Sequence, residues 1–211
     1  MGVTDIDPTS SDDLTYPAEP WDLHGHAQVG VWLVPRRAAP PPHHPGSRQI
    51  RLFGRVLVGA AFFRYDDPSP LTYDEIMATQ LVLDGWRPRV SITHIWVDSP
   101  ASKAGGRDLW AIPKDLAEFE RVTNRAYTAA GIGTLTLARL RALPFRLPLG
   151  FRIAQDRAGS LLVSPVAGSA RVGLGKGFWT FDQDGPLGFL SGRTPLLTLT
   201  LQQFHLFFGK R

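Results

Sequence analysis

The side chains of this chain that are best suited to chemistry are concentrated between residues 73 and 114. They are Glu75, Arg107, Trp110 and Lys114. A neutral lysine amine attacks carbonyl carbons, a carboxylate tuned by burial carries protons, and an arginine binds a carboxylate through two parallel hydrogen bonds. Such a set suits chemistry on a carbonyl compound, provided that the fold brings its members together.

Other classes of site are excluded or weakened by residue type and spacing. The chain has no cysteine, which excludes thiolate nucleophiles, disulfides and cysteine metal clusters. The segment 173–176 lacks the length and the Ser or Thr of a phosphate-binding loop, and no Gly-x-Ser-x-Gly elbow is present. His24 and His26 would share one face of a strand, and with His43 and His44 they are a candidate metal site. Their spacing fits no ligand pattern, so we interpret them as loop histidines and expect no metal.

The segment that ends at Lys114 resembles the motif of the acetoacetate decarboxylase family. Gly106-Arg107-Asp108 is followed by a short apolar stretch and by Pro113-Lys114, and Tyr73-Asp74-Glu75 lies upstream at the spacing expected of the family. The resemblance covers about residues 60–120. It implies that Lys114 is a Schiff-base nucleophile and that Glu75 lies in the active site. The imine would itself be the electron sink, so no cofactor is expected.

Two local geometries would lower the pKa of Lys114 from the value of about 10.4 for a free lysine. If the segment is extended, Trp110, Ile112 and Lys114 project from one face and place an apolar wall beside the amine. If Pro113 instead begins a helix, the ammonium lies near the positive end of the helix dipole. We therefore expect a lowered pKa in either geometry.

Arg107 and Glu75 each have a functional and a structural interpretation. Arg107 pairs with a substrate carboxylate, or it ties down the turn through Asp108 or Asp98. Glu75 is either a proton carrier or a surface glutamate. The candidate site is thus Lys114 and Glu75 for catalysis, with Arg107 and Trp110 for substrate binding.

Three positions depart from the family pattern. Asp115 follows Lys114 where family decarboxylases commonly have a second lysine. The resemblance implies a second carboxylate of the decarboxylase site at about position 60, where this chain has Ala60. It also implies an arginine that meets the substrate carboxylate at about position 28, where this chain has Gln28. Because of these departures, a second reaction is an alternative: aldolase-dehydratase chemistry on pyruvate and an aldehyde through the same imine. A third interpretation is a non-catalytic β-barrel that binds a small molecule and tolerates Lys114→Ala.

Short runs rich in β-branched and aromatic residues, separated by Gly and Pro, predict a mainly β fold. They favour an antiparallel β-barrel or cone with a few short helices, the fold that the resemblance also implies. The predicted strands are 27–34, 50–65, 89–97, 134–140, 161–166, 177–181 and 196–208. Residues 71–83 and 114–122 fit either a strand or a helix. A short helix is predicted over 100–109, after Ser99 as its cap.

The remaining expectations come from composition. Residues 1–20, rich in Asp, Ser, Thr and Pro, predict a flexible lead before a single domain of residues 21–211. No signal sequence and no apolar run of roughly 20 residues are present, so we expect a cytoplasmic protein without a membrane partner. The net charge is +4, but the arginines are not interleaved with aromatic residues, so we expect no nucleic-acid partner.

Together these observations predict a lyase that acts on a small keto acid, by decarboxylation through a Lys114 imine. Exposed strand edges also favour a homo-oligomer.

Overall fold

The computed structural model describes residues 15–123 and 125–210, so residues 1–14 of the predicted lead lie outside the described part. The described residues contain thirteen strands, the helix α1 (Pro100–Trp110) and a 3₁₀ turn, Gly188–Leu190. The strands are β1 (Trp21–Pro35), β2 (Arg48–Gln49), β3 (Arg51–Leu52), β4 (Arg55–Asp66), β5 (Tyr73–Asp84), β6 (Arg87–Val97), β7 (Lys114–Leu116), β8 (Phe119–Thr123), β9 (Ala126–Ala129), β10 (Gly133–Ala142), β11 (Leu147–Arg157), β12 (Ser160–Phe181) and β13 (Leu197–Phe208). The predicted mainly β fold is confirmed. No helix among these residues is both long and apolar enough to cross a membrane.

Seven strands form a closed ring, in the order β6, β5, β4, β1, β13, β12 and β11. Neighbours along this path are antiparallel, and β11 returns to β6 through a parallel pairing of Ile153 with Val90. The buried side chain of Gln155 supports this closure, because it accepts from the Ile92 N–H and donates to the Ile92 carbonyl, both at 3.0 Å. Strands β10, β9 and β8 extend the sheet from β12 outside the ring.

Strands β1, β4 and β5 carry apolar side chains on both faces, which is why β4 is an almost continuous apolar run. One face lines the inside of the ring and includes Leu23 and Tyr65. The other face includes Trp32 and Phe62 and packs with side chains of the extension such as Leu135. Full burial of one such side chain contributes about 1.5–3 kcal/mol. The two cores therefore fix the orientation of every inward-facing residue on these strands.

Helix α1 is short and capped at both ends. The Ser99 hydroxyl accepts from the Ser102 N–H at 3.2 Å, and Pro100 occupies the first turn, where its missing N–H has no partner to lose. Ala111 ends the helix in the left-handed conformation, with φ 52°, and the Ile112 N–H then donates to the Gly106 carbonyl. The predicted helix is confirmed, and its end turns the chain directly into Pro113 and Lys114.

Most of the predicted strands are present, and both ambiguous segments are strands, β5 in the first and β7 and β8 in the second. The predicted run 50–65 is divided by a turn at Phe53 and Gly54, both of which have positive φ. The runs 161–166 and 177–181 belong to one long strand, β12. The prediction missed β11, where Pro148 and Gly150 interrupt the usual strand composition.

Candidate active site

Lys114 is the first residue of β7, which pairs in parallel with β6 opposite Ile95. Its side chain is directed inward and is only 4% exposed. It passes over α1 at Gly106, where a Cβ atom would lie 2.7 Å from Cδ and 2.9 Å from Cε of the lysine. The glycine of the Gly-Arg-acidic motif therefore makes room for the lysine chain.

The Lys114 ammonium has three polar neighbours. Nζ lies 2.9 Å from Oε2 of Glu75, 2.9 Å from the Ser102 hydroxyl and 3.3 Å from the Tyr73 hydroxyl. The ring of Tyr73 also lies against the ammonium, with its centroid 4.9 Å from Nζ. The arrangement brings an amine and a carboxylate into contact inside the ring.

Glu75 faces inward from β5 and is 1% exposed, so it is not a surface glutamate. The Tyr65 hydroxyl donates to its Oε1 at 3.0 Å, and the Tyr65 ring stacks on Tyr73 with centroids 4.3 Å apart. A buried carboxylate needs such partners, because an unpaired charge in an apolar interior is very costly. Tyr65 and Lys114 supply one partner to each of its oxygens.

The expectation of a lowered Lys114 pKa is wrong for the resting protein. Burial does lower the pKa of Lys114, but the Glu75 carboxylate and Tyr73 raise it, and the net pKa lies above its ordinary value. The resting amine is therefore a protonated ammonium paired with Glu75. Burial also raises the pKa of Tyr73, with Glu75 adding to the effect and Lys114 opposing it. Burial and Glu75 hold the pKa of Tyr65 well above its usual range.

Trp110 forms part of the wall beside the lysine, at the C-terminal end of α1. It is 3% exposed, its ring meets Trp21 edge-on at 4.9 Å, and its indole N–H donates to Glu19 at 2.9 Å. Trp110, Ile112 and Lys114 all line one cavity. They share this face although Trp110 is helical, because the turn at Ala111 reverses the chain between them.

Arg107 has a structural contact in this protein. Its Nε donates to the Lys114 carbonyl at 2.6 Å, and it is not among the described residues that line the lysine cavity. Asp108 accepts a hydrogen bond from the Tyr16 hydroxyl at 2.6 Å, and Asp98 accepts from the Asp74 N–H. Arg107 thus holds the start of β7 against α1.

The three departures from the family pattern lie in different environments. Asp115 points to solvent, where Lys103 pairs with it at 2.7 Å, and this contact lowers the pKa of Asp115. Ala60 faces the outer core, while the next residue, Ala61, lines the lysine cavity. Gln28 is buried on the side of β1 that faces away from the lysine cavity, and it lines a separate external groove.

The cavity that contains Lys114 has a volume of about 250 Å³. Its lining is mostly aliphatic and aromatic, and Lys114 and Glu75 are the two ionisable residues besides tyrosine that line it within the described part of the chain. Ligand sites commonly combine an apolar wall with a few polar groups, in volumes of roughly 300–1,000 Å³. This cavity suits a small molecule.

The four histidines considered as metal ligands do not come together. His44 contacts Asp156 at 2.8 Å, and His43 accepts from the Asp156 N–H. His24 instead lies with His205 beside Asp22, and the potential ligand atoms of these three residues lie within 4.8 Å of one another. The Asp22 carboxylate contacts both rings, at 3.1 and 2.7 Å, and its contact with His205 is a hydrogen bond.

Sequence reasoning missed Tyr65 and Ser102, which contact Glu75 and Lys114. Ser102 and Gly106 are four residues apart and lie on one face of α1. Small residues at this spacing indicate that another part of the chain, here the Lys114 side chain, packs closely against the helix. For Tyr65 the only signal is its place on a strand that ends shortly before the Tyr73-Asp74-Glu75 segment.

Comparisons with known proteins found one matching family and several similar structures. Residues 47–143 match the family described as "Acetoacetate decarboxylase (ADC)". No curated protein matches the chain in sequence.

Solved structures show the same fold over nearly the whole chain. The acetoacetate decarboxylase of Legionella pneumophila superposes with a TM-score of 0.63 at 16% identity, over 99% of this chain and 95% of that one. An acetoacetate decarboxylase-like enzyme of Sphingomonas wittichii RW1 gives 0.54 at 14% identity, over 99% and 97%. The enduracididine biosynthesis enzyme MppR, complexed with the condensation product of pyruvate and imidazole 4-carboxaldehyde, gives 0.55 at 18% identity, over 92% and 88%. Residues 47–143 are therefore similar to the acetoacetate decarboxylase family, and the chain shares the fold of these solved structures.

Proposed function

We propose that this protein is a lyase that decarboxylates a keto acid through a Schiff base on Lys114. The observation that carries the proposal is the buried contact of the Lys114 amine with the Glu75 carboxylate, 2.9 Å apart, at one side of an apolar cavity. A structural lysine gains little from such a position, because burial of an ion pair costs about as much as the attraction returns. A nucleophile that must exchange a proton needs this contact.

The reaction begins with a proton transfer. Lys114 is protonated at rest, so its proton moves to Glu75 when the carbonyl carbon of the substrate approaches Nζ. The neutral amine adds to the carbonyl, and one proton of the new C–N ammonium passes to the oxygen to give the carbinolamine. Glu75 then returns its proton to this hydroxyl group, which leaves as water. The product of these steps is an iminium ion on Lys114 and an ionised Glu75.

Decarboxylation follows from the charge of this iminium. The bond between the α-carbon and the carboxylate breaks, CO2 leaves, and the electron pair forms an enamine by neutralising the iminium nitrogen. A proton then adds to the α-carbon, and water releases the ketone and the free lysine. Because both charges disappear as CO2 leaves, an apolar surrounding favours this step over the charged ground state.

Decarboxylation is tested by measuring CO2 release from 3-oxo acids, with Lys114→Met as the comparison. The expected result is enzymatic release above the spontaneous rate, abolished in Lys114→Met. If the folded wild-type protein released CO2 no faster than the spontaneous reaction with each 3-oxo acid, decarboxylation would be wrong.

The second candidate is aldolase-dehydratase chemistry on pyruvate and an aldehyde, and the observation that favours it is Ala61. Ala61 lines the cavity next to the position where a second carboxylate is expected of a decarboxylase. The same imine would form, and its enamine would attack the aldehyde. Formation of a condensation product from pyruvate and an aldehyde, without CO2 release from 3-oxo acids, would favour this reaction over decarboxylation.

A further inference from the structure

We propose that the substrate of the Lys114 site carries a short apolar chain or ring beyond its reacting carbonyl and no second charged group. This inference rests on the proposed imine function and specifies the class of substrate. It rests on the decrease in side-chain size along β4, from Phe63 to Ala61, where β4 lines the cavity.

The cavity continues along β5 and β4, away from Glu75. The inward side chains of β5 change from buried Glu75 to half-buried Met77 and then Thr79. Their partners across β4 are Phe63, Ala61 and Gly59 in the same order. The side chains on β4 thus shrink from phenylalanine to alanine to glycine. Thr79 packs against Gly59, and the small side chain of Ala61 leaves the cavity open beside Met77.

Apolar groups surround this space on the other strands. Val29 pairs with Ala61 from β1, and it lines the cavity together with Leu201 of β13 and Ile92 of β6. A substrate with only a methyl group beyond its carbonyl would leave these side chains facing water. An apolar chain that fills the space releases that water, with a gain of about 0.8 kcal/mol per buried CH2.

The charges of the cavity exclude a second anionic group on the substrate. Lys114 is the one lysine or arginine among its described lining residues, and Glu75 lies against it. The carboxylate on the α-carbon of a 3-oxo acid has the iminium as its partner until it leaves as CO2. A second carboxylate or a phosphate at the far end would be buried without a partner, which is strongly unfavourable.

Chain-length selectivity is measured by trapping methyl ketones on Lys114 with borohydride, using acetone, 2-pentanone and 2-heptanone. The expected result is a concentration for half-maximal labelling that falls roughly three- to fourfold for each added CH2 until the cavity is full. Ala61→Leu should remove this dependence on chain length, because the larger side chain fills the space beside Met77. Ala167→Leu, the same change at an exposed position on β12, should keep it.

The outcomes separate this inference from the proposed function. Equal half-maximal concentrations for acetone and 2-heptanone, or an Ala61→Leu protein that still prefers 2-heptanone, would overturn the apolar-chain substrate and leave imine formation intact. Absence of labelling by every ketone in the folded wild-type protein would overturn the imine function itself.

Discussion

At the residue scale, the proposed reaction depends on one buried ion pair, that of Lys114 with Glu75. In the proposed reaction, Lys114 supplies the nucleophile, and Glu75 accepts the proton that the lysine must lose. The resemblance to the family pointed to both residues, but the predicted direction of the shift in the lysine pKa was wrong. The actual direction depends on Glu75 approaching within 2.9 Å, and this contact forms between strands that are distant in sequence.

Glu75→Gln should make Lys114 a better general nucleophile and a worse catalyst. The change removes the charge that raises the lysine pKa and leaves burial, which lowers it. We expect faster reaction of Lys114 with an amine-selective reagent at mildly alkaline pH, measured by peptide mass, together with at least a tenfold loss of turnover. Lysine labelling slower than in the wild-type protein would contradict the assigned role of Glu75.

The ion pair also makes a prediction for stability. Lys114→Met leaves the buried Glu75 charge without its partner and should lower the unfolding free energy by about 3–5 kcal/mol. Adding Glu75→Gln to this variant should restore most of the lost stability. Since the folded pKa of Lys114 is raised, the stabilisation by the pair is complete below the unfolded pKa and is lost as pH rises through the folded pKa, above 10.5. Urea unfolding of the three proteins at neutral pH measures the effect. A double variant no more stable than Lys114→Met would count against the pair.

At the scale of elements, α1 and β7 position the lysine. The sequence predicted α1 because its cap, Ser99, and the following Pro100 are local signals. The state of residues 114–122 was not predictable, since β7 exists only through its parallel pairing with the distant β6. Periodicity within the segment carries no information on that pairing.

Gly106→Ala tests the contact between these elements. A Cβ at residue 106 would lie 2.7 Å from Cδ of Lys114, so the lysine must move from Glu75 and Ser102. We expect at least a tenfold loss of ketone trapping on Lys114 while the circular dichroism spectrum stays that of a β protein. Gly150→Ala is the matched control, because no atom lies within 4 Å of its added methyl group. Equal trapping by the two variants would remove the proposed role of Gly106.

At the scale of the whole molecule, the ring encloses the cavity and its closure lies at the junction of β6 and β11. The mainly β class and a barrel or cone were expected, but the parallel junction of β6 with β11 that closes the ring was not. Gln155, a polar residue in a strand that the sequence did not predict, forms two hydrogen bonds across this junction. The expected homo-oligomer stays a prediction.

Gln155→Leu should weaken the ring at this junction. The change leaves the Ile92 N–H and carbonyl without the two side-chain hydrogen bonds, at a cost of about 1–3 kcal/mol for each unsatisfied buried group. We expect a lower urea midpoint and faster amide exchange in β6 and β11. The exposed Gln183 provides the control Gln183→Leu, which should be nearly neutral. An unchanged midpoint in Gln155→Leu would show that closure does not depend on this residue.

The central claim is imine formation at Lys114, and reductive trapping tests it most directly. The protein is incubated separately with acetoacetate, pyruvate and acetopyruvate, reduced with borohydride, and analysed by intact mass and peptide mapping. The account predicts one adduct of the mass of the reduced imine, located on Lys114 and absent from Lys114→Met. No adduct with any keto acid, together with ordinary surface-lysine reactivity at Lys114, would contradict the account and favour a non-catalytic binding protein.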